Sequence, residues 1–205
     1  QTGFEAQALQ RAQRFDRIIA GSKWNEALLK EAGLKQVCCA YQGIDANLFF
    51  PAPKPDWLVN RFVIFSGGKL EYRKGQDVVI AAFRAFSARH KEALLLCGWH
   101  SPWPELAASI LESEHLASAP SLGLDGLLNI SEWLTQEGLT TDSFIDVGSF
   151  AQGDLPPILR SADVALFPNR AEGGTNVVAM ECLATGIPTL LSANTGHLDL
   201  LAEGL

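Results

Sequence analysis

Several familiar chemistries are missing from this 205-residue chain. Its four cysteines, Cys38, Cys39, Cys97 and Cys182, form no Cys-x-x-Cys pair. The four histidines, His90, His100, His115 and His197, fit no metal-ligand spacing. No Asp-x-Asp pair occurs either, so no divalent-ion site is expected from this chain. The cysteines read as small buried hydrophobes of a reducing compartment. Neither a Walker A loop nor a Gly-x-Gly-x-x-Gly run follows a predicted strand, which argues against a generic dinucleotide oxidoreductase. No apolar run approaches membrane-spanning length, and no signal peptide opens the chain. Positive charge is scarce, and the net charge of −7 argues against non-specific binding to nucleic acid or anionic membranes. A cytoplasmic location is expected, with peripheral membrane attachment left open. The chain begins at Gln1 and stops at Leu205 just after Leu198, Leu200 and Leu201, so both ends read as cut.

Core-forming material is plentiful, with 47% of residues hydrophobic and 19% charged. Short β-branched runs alternate with helical patterns, the signature of βαβ units in a parallel sheet. Strands are predicted at 62–66, 93–97, 143–147, 163–167 and 187–192. Helices are predicted over about 75–89, near 154–161, and around Glu181. Residues 99–140 are irregular, with two helices expected. Upstream, residues 4–15 and 24–32 read as helices, and 16–22 and 37–41 as strands. Pro51, Pro53 and Pro55 make a stiff connector. The expected organisation is the end of one α/β domain at 1–45, a linker at 46–56, and most of a second domain at 57–205. No internal repeat is detectable.

Glu181 is the only formally charged residue between Gly173 and Leu198, and it sits mid-helix. Gly173 and Gly174 open that helix, Thr175 is placed to cap it, and Gly186 with Pro188 closes it. A buried carboxylate is protonated or paired. Glu181 therefore either faces a cleft filled by a polyhydroxyl ligand or is a core-edge residue bonded to backbone or a basic side chain. In open parallel sheets, ligands gather at the carboxyl ends of the strands. Two loops meet that condition, GGKLEYRKGQD after 62–66 and PNRAEGGTN after 163–167. The second leads into the unsatisfied amides of a helix start, and the first carries Lys69 and Lys74 beside Gly68. Together they offer a metal-free site for a diphosphate. Trp99, His100 and Trp103 are read as an aromatic lid or core edge, with base stacking as the other option. His197 and Asp199, after the fifth predicted strand, are placed where they could approach the site, but no spacing singles them out.

Four blocks, QGID…F…P at 42–51, GGKLEYRKGQDVVIAAF at 67–83, ADVALFPNRAEGG at 162–174 and NVVAMECLATGIPTLLS at 176–192, occur in an order that resembles the group 1 (family 4) GT-B glycosyltransferases. The resemblance implies an α/β, Rossmann-like parallel sheet flanked by helices, one half of a two-domain GT-B architecture. It implies a retaining, metal-independent enzyme moving a sugar from a nucleoside diphosphate sugar to an acceptor hydroxyl on a glycan, lipid or protein. No cofactor is called for, because the nucleotide sugar is substrate. Carried over by position, Lys69 and Lys74 hold the diphosphate, Glu181 the ribose, and Gly173, Gly174, Thr175, Asn176 and Val177 form the helix-start cradle. Glu172 orients the donor sugar and joins the two lysines as a catalytic candidate. Two departures stand out. Lys69 occupies a position usually held by Arg, and Glu172 and Glu181 stand nine apart where eight is usual, which puts Gly173 at the expected position. The acceptor is expected on an absent N-terminal domain, so this chain alone is expected to be inactive. A catalytically silent nucleotide-sugar binding domain, or a phosphorylase or epimerase on the same fold, is the alternative.

Overall fold

The computed structural model describes residues 4–202. The extreme ends of the two expected domains, 1–3 and 203–205, lie outside the described residues. The first elements are α1 (Ala6–Ala12), β1 (Ile18–Ala20), α2 (Lys23–Glu31) and β2 (Val37–Cys39). β1 and β2 pair in parallel as a separate two-stranded sheet, packed around Ala20, Leu34 and Val37. Ser22, two residues past β1, caps α2, its hydroxyl accepting from the Asn25 amide at 3.1 Å.

Next come β3 (Phe62–Gly67), α3 (Gln76–Ser87), β4 (Ala93–Gly98), α4 (Ile130–Gln136), β5 (Phe144–Asp146), α5 (Leu155–Arg160), β6 (Val164–Phe167), α6 (Val177–Ala184), β7 (Thr189–Leu191) and α7 (His197–Ala202). The five strands from β3 to β7 form one parallel sheet ordered β5-β4-β3-β6-β7. All five strands expected in this part of the chain are present. Between β4 and α4, residues Pro104–Glu112 form a 3-10 stretch, so the two expected helices of the 99–140 segment are one 3-10 and one α.

The central strands β3 and β4 are buried on both faces, as in other parallel sheets, whereas Leu190 of β7 is exposed. The alternation of β4 shows how the chain serves both faces. Ala93, Leu95 and Cys97 face a core shared with α3, Trp99, Ile110 and Trp133. Leu94 and Leu96 face a second core with α5 and α6. Phe49, inside the expected linker, is buried in that second core, so the chain joins the larger body before its prolines. Lys54 then clips the connector to Asp163 at 2.6 Å, and Arg160 donates to the carbonyls of Leu48 and Phe50.

Candidate active site

The loops after β3 and β6 leave adjacent strands and are zipped together. Arg170 donates two 2.7 Å hydrogen bonds to the fully buried Asp77 and lies 3.7 Å over the Tyr72 ring. Burial, the strongest influence on the Asp77 carboxyl, pushes its pKa up. Arg170 and Ser113 together outweigh it and hold the carboxyl below its usual value. The Arg170 amide donates to the Arg73 carbonyl, and the Arg73 guanidinium donates to the Ala171 carbonyl, each at 2.8 Å. Gly75 adopts φ +76°, and a Cβ there would lie 2.3 Å from the Pro168 carbonyl oxygen. Only glycine lets the two loops approach so closely.

This zipper sets Lys74 against Glu172. The ammonium donates to one carboxylate oxygen at 2.5 Å, and the Asn169 amide donates to the same oxygen at 2.8 Å. Arg73 stands 3.3 Å from the other oxygen. The Lys74 and Glu172 side chains are 12% and 10% exposed, so this is a largely buried pair. Burial draws the Lys74 pKa below its ordinary value, more strongly than Glu172 raises it. For Glu172 burial acts upward, but Lys74, Arg73 and Asn169 prevail and keep the carboxylate ionised. The Lys74 stem passes beside Gly68, with Cε 4.0 Å from the position a Cβ would take. Lys69 instead rests its ammonium 5.4 Å over the exposed Trp103 ring. The intervening loop is pinned by Gln76, whose side-chain amide donates to the Gly68 and Lys69 carbonyls at 3.3 and 2.9 Å.

The tip of α6 lies at the same edge, since a Cβ on Gly67 at the end of β3 would come within 2.8 Å of Val178. The capping residue is Asn176 rather than Thr175. Asn176 takes the left-handed conformation, φ 65°, and its side-chain oxygen accepts from the Ala179 amide at 3.4 Å. Asparagine adopts that backbone shape more readily than a β-branched residue does. The Thr175 hydroxyl turns to the Met180 sulfur at 3.0 Å. Glu181, one turn further on, is 3% exposed and accepts from Gln152 at 3.0 Å. Its partner is thus a neutral amide, and burial pushes its pKa up against that bond.

A cleft of about 470 Å³ opens past the carboxyl ends of β4 and β5, lined by Gly98, His100, Pro102, Gly148 and Phe150 and closed on one side by Leu127 from the segment before α4. His100 is held by Asp146 at 2.9 Å. Trp99 belongs to the core, its indole donating to Ser66 at 3.1 Å.

The turn between β7 and α7 underpins the β6–α6 loop. Ser192 and Asn194 donate to the Asn169 carbonyl at 2.5 and 3.0 Å. The Glu172 amide donates to the Thr195 hydroxyl at 2.8 Å, and the Gly196 amide to the Glu172 carbonyl at 2.9 Å. His197 faces Asn176 at 3.1 Å. From the smaller sheet, Ser22 donates to the Gly173 carbonyl at 2.8 Å. Sequence reasoning missed all of these, because a Ser-Ala-Asn-Thr-Gly run signals only a turn until its distant partners are known. Among the described residues, no cluster of three or more His, Cys, Asp or Glu side chains is arranged to hold a metal.

A five-stranded parallel sheet with these loops along its carboxyl edge has the fold of one half of a two-domain GT-B protein. The chain belongs to the glycosyl transferases group 1, whose family model matches residues 52–205. It is 27% identical over 200 residues to mannosylfructose-phosphate synthase of Agrobacterium fabrum, a match covering 92% of this chain and 40% of that protein. The fold is similar to Anabaena Alr3699/HepE in complex with UDP and glucose, with TM-score 0.71 and 20% identity over 96% of this chain and 51% of that one. A trehalose-6-phosphate enzyme of E. coli bound with UDP-2-fluoro glucose gives TM-score 0.67 at 18% identity, covering 96% of this chain and 50% of that one. The chain therefore spans about half the length of the proteins it matches. No helix among the described residues is long and apolar enough to cross a membrane.

Proposed function

We propose that this chain is the donor-binding part of a retaining, metal-independent glycosyltransferase that moves a sugar from a nucleoside diphosphate sugar to an acceptor hydroxyl. One observation supports the reading: the loop carrying Lys74 and the helix α6, whose Val178 packs beside Gly67 and which holds the buried Glu181, both follow the carboxyl ends of the adjacent strands β3 and β6. Base and ribose would enter the cleft, with Glu181 accepting from the ribose hydroxyls. The diphosphate would lie across Gly68 to the Gly173–Val177 segment, facing Lys74 and the first amides of α6. Lys69 swings from Trp103 to the same phosphates. As the bond to the anomeric carbon breaks, its electrons pass to the leaving diphosphate. Lys69, Lys74 and the helix start stabilise that charge, and a single lost donor of this kind typically costs about 10²–10³ in rate. Lys74 is already aimed by Glu172, which is released toward the sugar hydroxyls when phosphate takes its place. The acceptor is held by a further N-terminal domain, so this chain alone binds donor without turnover. The free thiols suit a reducing, cytoplasmic setting.

The test is a saturation-transfer NMR screen of UDP-, GDP- and ADP-sugars, repeated with Lys74→Ala and Glu181→Ala. One donor should give signals that both variants weaken. Equal signals from folded variants, or none with any donor, would contradict the reading. Robust transfer by the 205-residue chain alone would refute the division of labour.

A further inference from the structure

We propose that His197 is a positioning residue for the donor site, acting through Asn176 to set the direction of the first amides of α6. This rests on the donor reading above, and it assigns a role to a histidine that the sequence did not single out.

His197 is fully buried at the start of α7. Its Nδ1 lies 3.2 Å from the Ser192 carbonyl oxygen, which can only accept, and 3.3 Å from the Ser192 hydroxyl, whose proton goes to the Asn169 carbonyl, so Nδ1 carries the proton. That leaves Nε2 as an acceptor, 3.1 Å from the Asn176 amide nitrogen. The assignment decides which way the asparagine amide faces. With its nitrogen turned to His197, its oxygen is turned to the Ala179 amide and caps the helix at 3.4 Å. The same contact serves the backbone, because asparagine holds a φ of 65° through local hydrogen bonds of its side chain. Two charges reach His197 from the loops packed on it. Glu172 favours the cation, Lys74 disfavours it, and burial, the largest influence, keeps the ring neutral. Without His197 the Asn176 amide can rotate. The cap is then lost, and the amides of Val177 and Val178 no longer point together at a bound phosphate.

The experiment measures the dissociation constants of UDP, GDP and ADP for the chain, then for His197→Gln, His197→Leu, Asn176→Ala and the double variant Asn176→Ala/His197→Leu. Glutamine keeps one donor and one acceptor and should bind like the unmodified chain. His197→Leu and Asn176→Ala should each weaken binding roughly fivefold, the worth of one N-cap. The double variant should be no weaker than Asn176→Ala, because His197 acts only through Asn176. Binding unchanged by His197→Leu, or losses that add in the double variant, would overturn the inference while leaving the donor reading standing. Failure of the unmodified chain to bind any of the three nucleotides would overturn both. Should His197→Leu not fold, the imidazole nitrogen NMR of the unmodified chain decides. A neutral ring protonated on Nδ1 is expected, and a proton on Nε2 refutes the inference.

Discussion

Lys74→Met separates what the buried pair does for the fold from what it does for the ligand. Methionine keeps most of the stem's volume and removes the charge. Glu172 is then left 10% exposed, with Asn169 at 2.8 Å and Arg73 at 3.3 Å as its remaining partners. Removing one member of a fully buried pair costs about 3–5 kcal/mol. Arg73 and the residual exposure soften that here, to about 2–3 kcal/mol. For a domain of this size each kcal/mol moves Tm by about 2–4 °C, so a fall of about 4–12 °C is expected. Adding Glu172→Gln removes the orphaned charge and should restore stability to within about 1 kcal/mol. It should not restore nucleotide binding, because the phosphates still lack their cation. Thermal unfolding and nucleotide titration on the single and double variants are the assays. A Lys74→Met protein that melts with its parent would show that the ammonium does not serve the fold, and one that binds a nucleoside diphosphate as tightly would show that it does not serve the ligand.

Three further outcomes follow from the same geometry. The Glu172 pKa is depressed in the fold, so its stabilisation is present above its unfolded value of about 4.3 and lost as pH falls through the folded one. Glu172→Gln should therefore flatten the acid limb of a stability–pH profile below about pH 4.3, and an unchanged limb would contradict this. Glu181 has a raised pKa, so its charge costs stability at neutral pH, and the cost disappears below about pH 4.3. Glu181→Gln should raise Tm at neutral pH while weakening nucleotide binding roughly tenfold or more, the worth of a charged hydrogen bond; a lower Tm would count against it. Gly196→Ala places a Cβ 1.7 Å from the Gly174 carbonyl oxygen and should cost about 1–3 kcal/mol in urea unfolding and impair nucleotide binding. Unchanged stability would show that the two turns do not touch.

The sheet was legible because strands buried on both faces are short, uniformly apolar and separated by helical periodicity, as Phe62–Gly67 and Ala93–Gly98 show. The loops that carry charge could be named from the same rule, since only the carboxyl ends of strands gather ligands. What escaped was everything fixed by non-local partners. Nothing in the text says that Lys74 is held by a glutamate 98 residues away, or that Ser22 reaches across 151 residues to Gly173. The helix cap moved from Thr175 to Asn176 because a left-handed backbone, invisible in composition, selects asparagine. Glu181 was recognised as anomalous, yet its partner proved to be Gln152, a residue without any distinguishing context.

One sheet edge is expected to hold a nucleoside diphosphate between Lys74 and the start of α6. An amide-resolved NMR titration of the chain with UDP, GDP and ADP checks this residue by residue. Saturable shifts centred on Gly68, Gly174 and Val177, with none near Asn60 and Glu92 at the opposite edge, are predicted. Shifts confined to that opposite edge, or no saturable shifts with any of the three, would contradict it.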